Sequence, residues 1–188
     1  MAKKENIGQF EQVGNETFRS IVEPFLKYPE HLEVDTFFDA DTLVIEPRAN
    51  YADHGKLIGK DKANFNAIGM ILFLIGERMG RRIRLNNPLP AIRGEQEFLT
   101  PYERARKWKS DEAREILDGI TARFTKDKFE IRTREDEDEG RTFFHVVFSS
   151  SENLNVAVGQ VGYSLSKIMH AIGRARGRLI YVSAEQKK

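Results

Sequence analysis

The feature that most constrains the fold of this chain is an internal repeat. Apolar residues at helical spacing occur near residue 20 and return 95 residues later. The first set is Phe18, Ile21, Val22 and Phe25, and the second is Ala113, Ile116, Leu117 and Ile120. Each set is followed by two stretches rich in β-formers, a glycine motif, a longer apolar helix and a basic strand. Because the elements keep the same order, chance similarity is the weaker explanation, and both copies predict the order α-β-β-α-α-β.

The repeat also predicts the fold class and the domain boundaries. We expect an α+β protein with two units in tandem, each a three-stranded sheet with helices on one face. The polar start of the chain predicts a frayed tail. Prolines near residue 88 predict the end of the first unit, because proline cannot continue a strand ladder. The predicted segments are a tail at 1–15, a first unit at 16–88, a linker with the start of a helix at 89–109, and a second unit at 110–188.

In each unit a glycine follows an apolar residue at the predicted entrance to the longer helix. The first motif is Gly59-Lys60-Asp61-Lys62, and the second is Gly159-Gln160-Val161-Gly162. Glycine lets the backbone turn tightly and approach a ligand closely. The following helix start offers unpaired N–H groups and a positive dipole end. Together these features predict a phosphate-binding loop in each unit.

The two motifs resemble the signature of the K-homology (KH) domain, which is an apolar residue and GxxG followed by apolar positions at helical spacing. The second motif, continued to Ile168, fits this pattern in full, whereas the first has Lys62 in place of the second glycine. The order of elements resembles the bacterial type II arrangement over residues 16–87 and 110–183. The resemblance implies that each loop clamps the backbone of about four unstacked nucleotides of single-stranded RNA. It implies a non-catalytic role as an RNA chaperone, a regulator or a processing-associated factor.

The resemblance also implies which residues contact RNA. The two motifs supply the clamps, and basic residues around them supply phosphate contacts. Arg82 and Arg84 alternate with apolar residues, so they share the face of their strand that lies opposite the core. The implied RNA-binding residues are Lys56, Gly59, Lys60, Asp61, Lys62, Arg82, Arg84, Gly159, Gln160, Val161, Gly162, Lys167, Arg174, Arg176 and Arg178. Because only the first motif carries lysines, we expect the first clamp to contribute more to binding than the second.

Composition excludes several other functions. The chain has no cysteine, which rules out disulfides, cysteine-ligated zinc and thiol nucleophiles. Its four histidines lack metal-motif spacing, and neither a Walker loop nor a GxSxG motif occurs, so we expect no metal, no cofactor and no catalysis. A net charge of +1 neither favours nor excludes nucleic acid, because local patches decide binding. The absence of a long apolar run and of a secretory signal predicts a cytoplasmic protein that does not span a membrane.

The predicted helix at 63–79 is apolar on more than one side. Its main stripe leaves Met70, Phe73 and Leu74 on a second side, which predicts burial against the other unit, a second copy of the chain or another protein. A basic cluster around Trp108 either stacks on a base or packs between the units. Two alternatives to RNA binding stay open: a protein-interaction module with degenerate KH clamps, and binding of single-stranded DNA.

Overall fold

The structure, a computed structural model, describes residues 2–90, 110–126, 128–136, 140–149 and 158–187. In chain order the elements are α1 (Ala2–Val22), β1 (Glu33–Asp39), β2 (Thr42–Ala49), α2 (Tyr51–Ile58), α3 (Ala63–Arg78), β3 (Arg82–Leu85), β4 (Leu89–Pro90), α4 (Ser110–Phe124), β5 (Phe129–Asp136), β6 (Arg141–Phe148), α5 (Val158–Ala175) and β7 (Leu179–Gln186). Short 3-10 turns lie at Glu23–Phe25, Pro29–His31 and Lys60–Lys62.

The described strands form two sheets with the same strand order. In the first sheet β1 pairs antiparallel with β2, and β2 pairs parallel with β3. In the second sheet β5, β6 and β7 repeat this arrangement. The short β4 adds a two-residue parallel pairing to β2. The predicted α+β class with two sheets is therefore confirmed, whereas the KH identity of the two units stays a hypothesis.

One face of each sheet is covered by helices. α3 packs on β3, α5 packs on β7, and α3 and α5 also pack against each other across the two units. Residues of the edge strand β7 alternate between buried and exposed, and exposed side chains such as Phe37 and Tyr181 lie on the face of each sheet opposite the helices. Buried side chains of both units, among them Phe18, Leu72, Phe144 and Ile168, belong to one continuous core.

Both units join the long helix to the last strand by the same turn. Residues 75–83 read I-G-E-R-M-G-R-R-I, and residues 172–180, which lie 97 positions later, read I-G-R-A-R-G-R-L-I. In each copy the carbonyl of the first glycine accepts a hydrogen bond from the backbone N–H five residues on, at 2.9 Å from Arg81 and 2.8 Å from Arg178. The second glycine has a φ of +67° in the first unit and +71° in the second, as expected of a glycine that ends a helix. This shared turn fixes which residues of α3 and α5 are equivalent.

Three arginines connect the units through hydrogen bonds. Arg78, at the end of α3, donates to two carbonyls at the end of α4, including that of Arg123 at 2.9 Å. Arg123 in turn donates to the Ser20 hydroxyl in α1. Arg176, just after α5, donates to the carbonyl of Pro24 at 3.2 Å. An arginine at or just after the end of each long helix thus donates to carbonyls close to the end of the other unit's first helix. The C-terminal end of a helix carries a partial negative charge, which favours a cation there.

The predicted polar tail at residues 1–15 is wrong, because α1 begins at Ala2. Phe10 is fully buried. Gly14 lies so close to Leu43 that a Cβ on this glycine would be 2.6 Å from the leucine side chain. Both positions precede Phe18 at helical spacing, so they continue its apolar stripe. The polar residues Gln9 and Gln12 of this segment are exposed.

The second side of α3 is buried only in part. Leu74 is buried, as predicted, and Met70 is partly buried. Phe73 is 41% exposed, so the other unit does not bury it, and its burial against a second copy of the chain or another protein stays a prediction. The predicted helix start at 89–109 and the cluster around Trp108 cannot be compared in the same way, since 91–109 lie outside the described residues.

Candidate nucleic-acid interface

The first motif forms a tight turn between α2 and α3. Gly59 has a φ of +72°, and a Cβ there would lie 2.8 Å from Asn64. Asp61 and Lys62 have left-handed φ values of 53° and 61°, which non-glycine residues seldom adopt. The Asn64 side-chain amide donates to the carbonyl of Lys56 at 2.8 Å and so braces the turn. The turn exposes three consecutive charged side chains beside the start of α3.

Lys56, which precedes this turn, is held in an internal ion pair. Its Nζ lies 2.8 Å from Oδ1 of Asp53, whose side chain is almost fully buried. Asp53 also accepts hydrogen bonds from the backbone N–H groups of Lys27 at 2.8 Å and Tyr28 at 2.7 Å. Lys56 therefore neutralises a buried carboxylate, and the exposed cations at the turn are Lys60 and Lys62.

The left-handed backbone at Lys62 is expected to reduce stability. Glycine adopts this conformation without a Cβ penalty, so Lys62→Gly should raise the free energy of unfolding by about 1 kcal/mol. Lys60→Gly is the matched control. Because Lys60 has no positive φ, its replacement by glycine only adds unfolded-state entropy and should lower stability. Urea denaturation measures both variants, and a loss of stability in Lys62→Gly would contradict the expected strain.

The second motif is not a loop, contrary to the prediction. Residues 159–162 form the first turns of α5. Val161 is fully buried, so it cannot contact a ligand at the surface. A Cβ on Gly162 would lie 3.0 Å from the Cβ of Ala184 in β7, so this glycine allows the helix and the strand to pack closely. Its absence of a side chain serves packing rather than a turn.

The equivalence fixed by the shared turn explains this error. Counting by 97 positions places Gly159 opposite Lys62, so the segment equivalent to the first loop is 156–159. An alignment of Gly59 with Gly159 uses an offset of 100 positions, which is three more than the offset of 97 that the shared turn gives. Residues 156 and 157 lie outside the described residues, whereas Gly159 and Gln160 are exposed on the first turn of α5.

Arg82 and Arg84 lie on the outer face of the first sheet, as predicted, but they do not adjoin the first loop. α3 contains 16 residues and separates the loop from the start of β3 by about 24 Å. Arg84 Nη2 also forms an exposed ion pair with Asp39 at 3.2 Å. The structure therefore does not bring the predicted clamp and the predicted basic strand together in one site.

Two of the three predicted arginines of the second unit bind other parts of the protein. Arg178 is paired with Glu135 at 3.2 Å and donates to the Thr142 hydroxyl at 2.5 Å, and its side chain is only 14% exposed. Arg176 forms the contact between the units described above. Arg174, in contrast, is exposed on α5. The arginine cluster of the sequence therefore divides into two structural residues and one surface cation.

Four side chains of α5 form one stripe at the protein surface. They are Tyr163, Lys167, His170 and Arg174, which we call the α5 stripe. Their spacing of four, three and four residues places them on one face of the helix, over about 17 Å. Lys167 Nζ lies 5.1 Å from the ring centroid of Tyr163, which is 58% exposed. The His170 ring contacts Tyr181 on the edge strand β7, with ring centroids 6.1 Å apart.

The α5 stripe is cationic and aromatic. No aspartate or glutamate occurs in α5. Among the described residues, neither Lys167 nor Arg174 has a carboxylate within ion-pair distance. In such an arrangement the cations can bind phosphates, and the rings between them can stack on bases. Tyr163 and His170 were not among the predicted RNA-binding residues. Their spacing from the two cations, in a helix without aspartate or glutamate, nevertheless indicates that all four share one face.

The equivalent face of α3 has a different chemistry. The residues 97 positions earlier are Asn66, Met70, Phe73 and Glu77. This face has no cation, and its one charged residue would repel a phosphate. The two units therefore have the same backbone arrangement but different surfaces. The α5 surface is basic and aromatic, and the α3 surface is largely apolar.

A polar row on the outer face of the second sheet includes one of the histidines. His145 Nδ1 lies 2.7 Å from the Ser183 hydroxyl, and its Nε2 lies 3.0 Å from Oε1 of Glu185. These are neighbours across β6 and β7 on a face open to water, so we interpret the row as cross-strand contacts that stabilise the sheet.

The described part of the chain contains no group of three or more histidine, aspartate or glutamate side chains arranged to hold a metal ion. Within the same residues, none of the helices combines the length and the apolar character that crossing a membrane requires.

Comparison with the models of known protein families, with the curated proteins and with the solved structures yields no match to this chain. The chemistry of the site and the resemblance of the sequence to KH domains are therefore what indicates a function.

Proposed function

We propose that this protein binds single-stranded RNA without catalysing a reaction, and that the α5 stripe is its main contact surface. The observation that carries the proposal is that two cations and two rings alternate along one helix face that contains no acid. Lysine and arginine bind phosphates with release of counterions, and aromatic faces stack on bases of any sequence. This combination suits a single strand, because the bases of a duplex are already stacked on each other.

The first loop supports the same function as a second phosphate contact. Lys60 and Lys62 are exposed on a braced turn, and Asp61 offsets one of their two charges. Left-handed residues other than glycine concentrate at functional turns, which favours a role in binding. The resemblance to a KH clamp favours the same role. We therefore assign the loop a smaller share of the binding energy than the α5 stripe.

The test compares two pairs of substitutions that remove the same charge. Lys167→Gln with Arg174→Gln removes both cations of the α5 stripe, and Arg82→Gln with Arg84→Gln removes two arginines from the outer face of the first sheet. Titration of a labelled mixed-sequence RNA oligomer, followed by fluorescence anisotropy, should show about tenfold weaker binding for the first pair at physiological salt. The dependence of log affinity on log salt should flatten by about 1.4 for two lost phosphate contacts. The second pair should bind nearly as well as the wild type.

Equal losses from the two pairs would show that net charge, rather than the α5 stripe, determines binding. A single-stranded DNA oligomer of the same length tests the role of the sugar, because stacking and phosphate contact alone do not distinguish RNA from DNA.

A protein-interaction module is the second candidate, and one observation favours it. Phe73 on α3 is 41% exposed and Met79, just after this helix, is 38% exposed, so the helix and its end present large apolar side chains to solvent. An exposed apolar surface is typical of protein contacts. A wild-type protein without salt-dependent RNA binding would favour this candidate over ours.

A further inference from the structure

Three side chains form a stacked row across the outer face of the second sheet. Arg134 on β5, Phe143 on β6 and Tyr181 on β7 are in register with one another. The rings of Phe143 and Tyr181 are stacked, with centroids 5.2 Å apart and an interplanar angle of 16°. The guanidinium of Arg134 lies over the Phe143 ring, 4.6 Å from its centroid. We call these three side chains the aromatic row.

The aromatic row is accessible, and its cation is available to a ligand. The row lies on the sheet face that the described helices do not cover, and Tyr181 is 39% exposed. Arg134 has no carboxylate within ion-pair distance among the described residues. Its neighbour Arg132 differs, because it is hydrogen-bonded to Glu130 at 3.2 Å and thereby lowers the pKa of that carboxyl. Arg134 therefore places a positive charge beside one partly buried ring, Phe143, and one exposed ring, Tyr181.

We propose that the aromatic row is a base-stacking site for single-stranded RNA, continuous with the α5 stripe. The proposal takes its ligand class from the function proposed above. Tyr181 connects the two surfaces, because it stacks on Phe143 within the row and contacts His170 of the stripe. A strand bound by phosphate contacts along α5 reaches the edge of β7 and places its next bases over the rings.

Charge fixes how the strand lies on the row. Lys167 and Arg174 lie on α5, so the sugar-phosphate backbone is expected on the α5 side, and the bases on the side of the rings. The stacked rings and the neighbouring hydroxyl of Ser183 suit a planar ligand with polar edges better than an apolar protein surface.

The first sheet offers a matched control surface. The equivalent row contains Phe37, Val44 and Arg84, so it has one ring where the second sheet has two. Phe37 is 46% exposed, and Arg84 is paired with Asp39. This row has one ring and one arginine but neither a ring stack nor an unpaired cation, and we expect it to contribute little to binding.

The experiment removes the rings while keeping strand-forming residues. Phe143→Thr with Tyr181→Thr is compared with Phe37→Thr, and both variants are checked for folding by circular dichroism. The probes are an RNA oligomer carrying 2-aminopurine, whose fluorescence falls when it stacks, and an abasic oligomer with the same phosphates. The double variant should bind the RNA about five- to a hundredfold more weakly. It should also lose the fluorescence decrease and keep the wild-type affinity for the abasic oligomer and the wild-type salt slope.

Phe37→Thr should bind as the wild type does. If the wild type binds RNA and the double variant binds it equally well, the stacking site is wrong, whereas binding at the α5 stripe is not contradicted. An equal loss of affinity for the RNA and the abasic oligomer would also overturn it, because the rings would then act through phosphates or through folding. Absence of any RNA binding by the wild type would overturn the proposed function itself, which is a different result.

Discussion

Asp53→Ala should lower the free energy of unfolding by about 3 kcal/mol, because it leaves two backbone N–H groups and one lysine without their shared partner. The Asp53 carboxylate is almost fully buried and accepts from the N–H groups of Lys27 and Tyr28. It therefore fixes the segment before β1 to α2, the helix that leads into the first loop. Asp53→Asn keeps one acceptor oxygen and should lose less stability.

The control for this prediction is Asp39→Ala, which removes a carboxylate from an exposed ion pair with Arg84. Exposed pairs contribute about 0.2 to 1 kcal/mol, so this variant should stay close to the wild type in urea denaturation. Similar losses in Asp39→Ala and Asp53→Ala would contradict the role we give to the buried carboxylate.

Gly173→Ala should lower the free energy of unfolding by about 2 to 3 kcal/mol. A Cβ at this position would lie 2.5 Å from the carbonyl oxygen of Arg178 and 2.9 Å from the Ile180 side chain. The first atom belongs to the backbone, so it cannot move aside without shifting the turn between α5 and β7. Gly76→Ala, at the equivalent place in the first unit, should have a similar effect, since its Cβ would lie 2.7 Å from a carbonyl oxygen.

Gly69→Ala provides the control within α3, because a Cβ there would meet no atom within 4 Å. Alanine has the higher helix propensity, so this variant should gain about 0.5 to 1 kcal/mol. A loss of stability in Gly69→Ala as large as that in Gly173→Ala would show that the damage does not come from the close backbone contact.

The repeat of the sequence was sufficient to predict the order of elements in the first unit but not where its first helix begins. In the second unit, the short helix predicted before α5 falls on 151–157, which lie outside the described residues. Apolar spacing predicted the helices around Phe18 and Leu117, and alternation predicted the strands that follow. The first turns of α1 were missed because their core positions are widely spaced among polar residues and because one of them is Gly14. A glycine that packs closely on another element leaves no apolar signal in the sequence.

The second motif was misread because glycine serves two different physical purposes. Gly59 is needed for a backbone conformation with positive φ, whereas Gly162 is needed because Ala184 lies too close for a side chain. The sequence pattern is the same in both cases. Only the equivalence of the helix ends, which depends on the turns at Gly76 and Gly173, reveals that the two motifs do not correspond.

The candidate site could be predicted in composition but not in arrangement. The basic residues of both units were visible in the sequence, yet Arg178 is neutralised by Glu135, which lies 43 positions away along the chain. Arg176 is committed to Pro24, 152 positions away. Partners so distant in the sequence are set by tertiary packing. Local spacing was informative only along a single helix, as in the α5 stripe.

Ultraviolet crosslinking of the full chain to a mixed-sequence single-stranded RNA, followed by mass spectrometry of the adducts, tests the central claim most directly. We expect adducts on Tyr163 and on other residues of α5, and we expect Lys167→Gln with Arg174→Gln to reduce them. Adducts confined to the first loop, or an absence of adducts under conditions where a known single-strand-binding protein is crosslinked, would contradict the account.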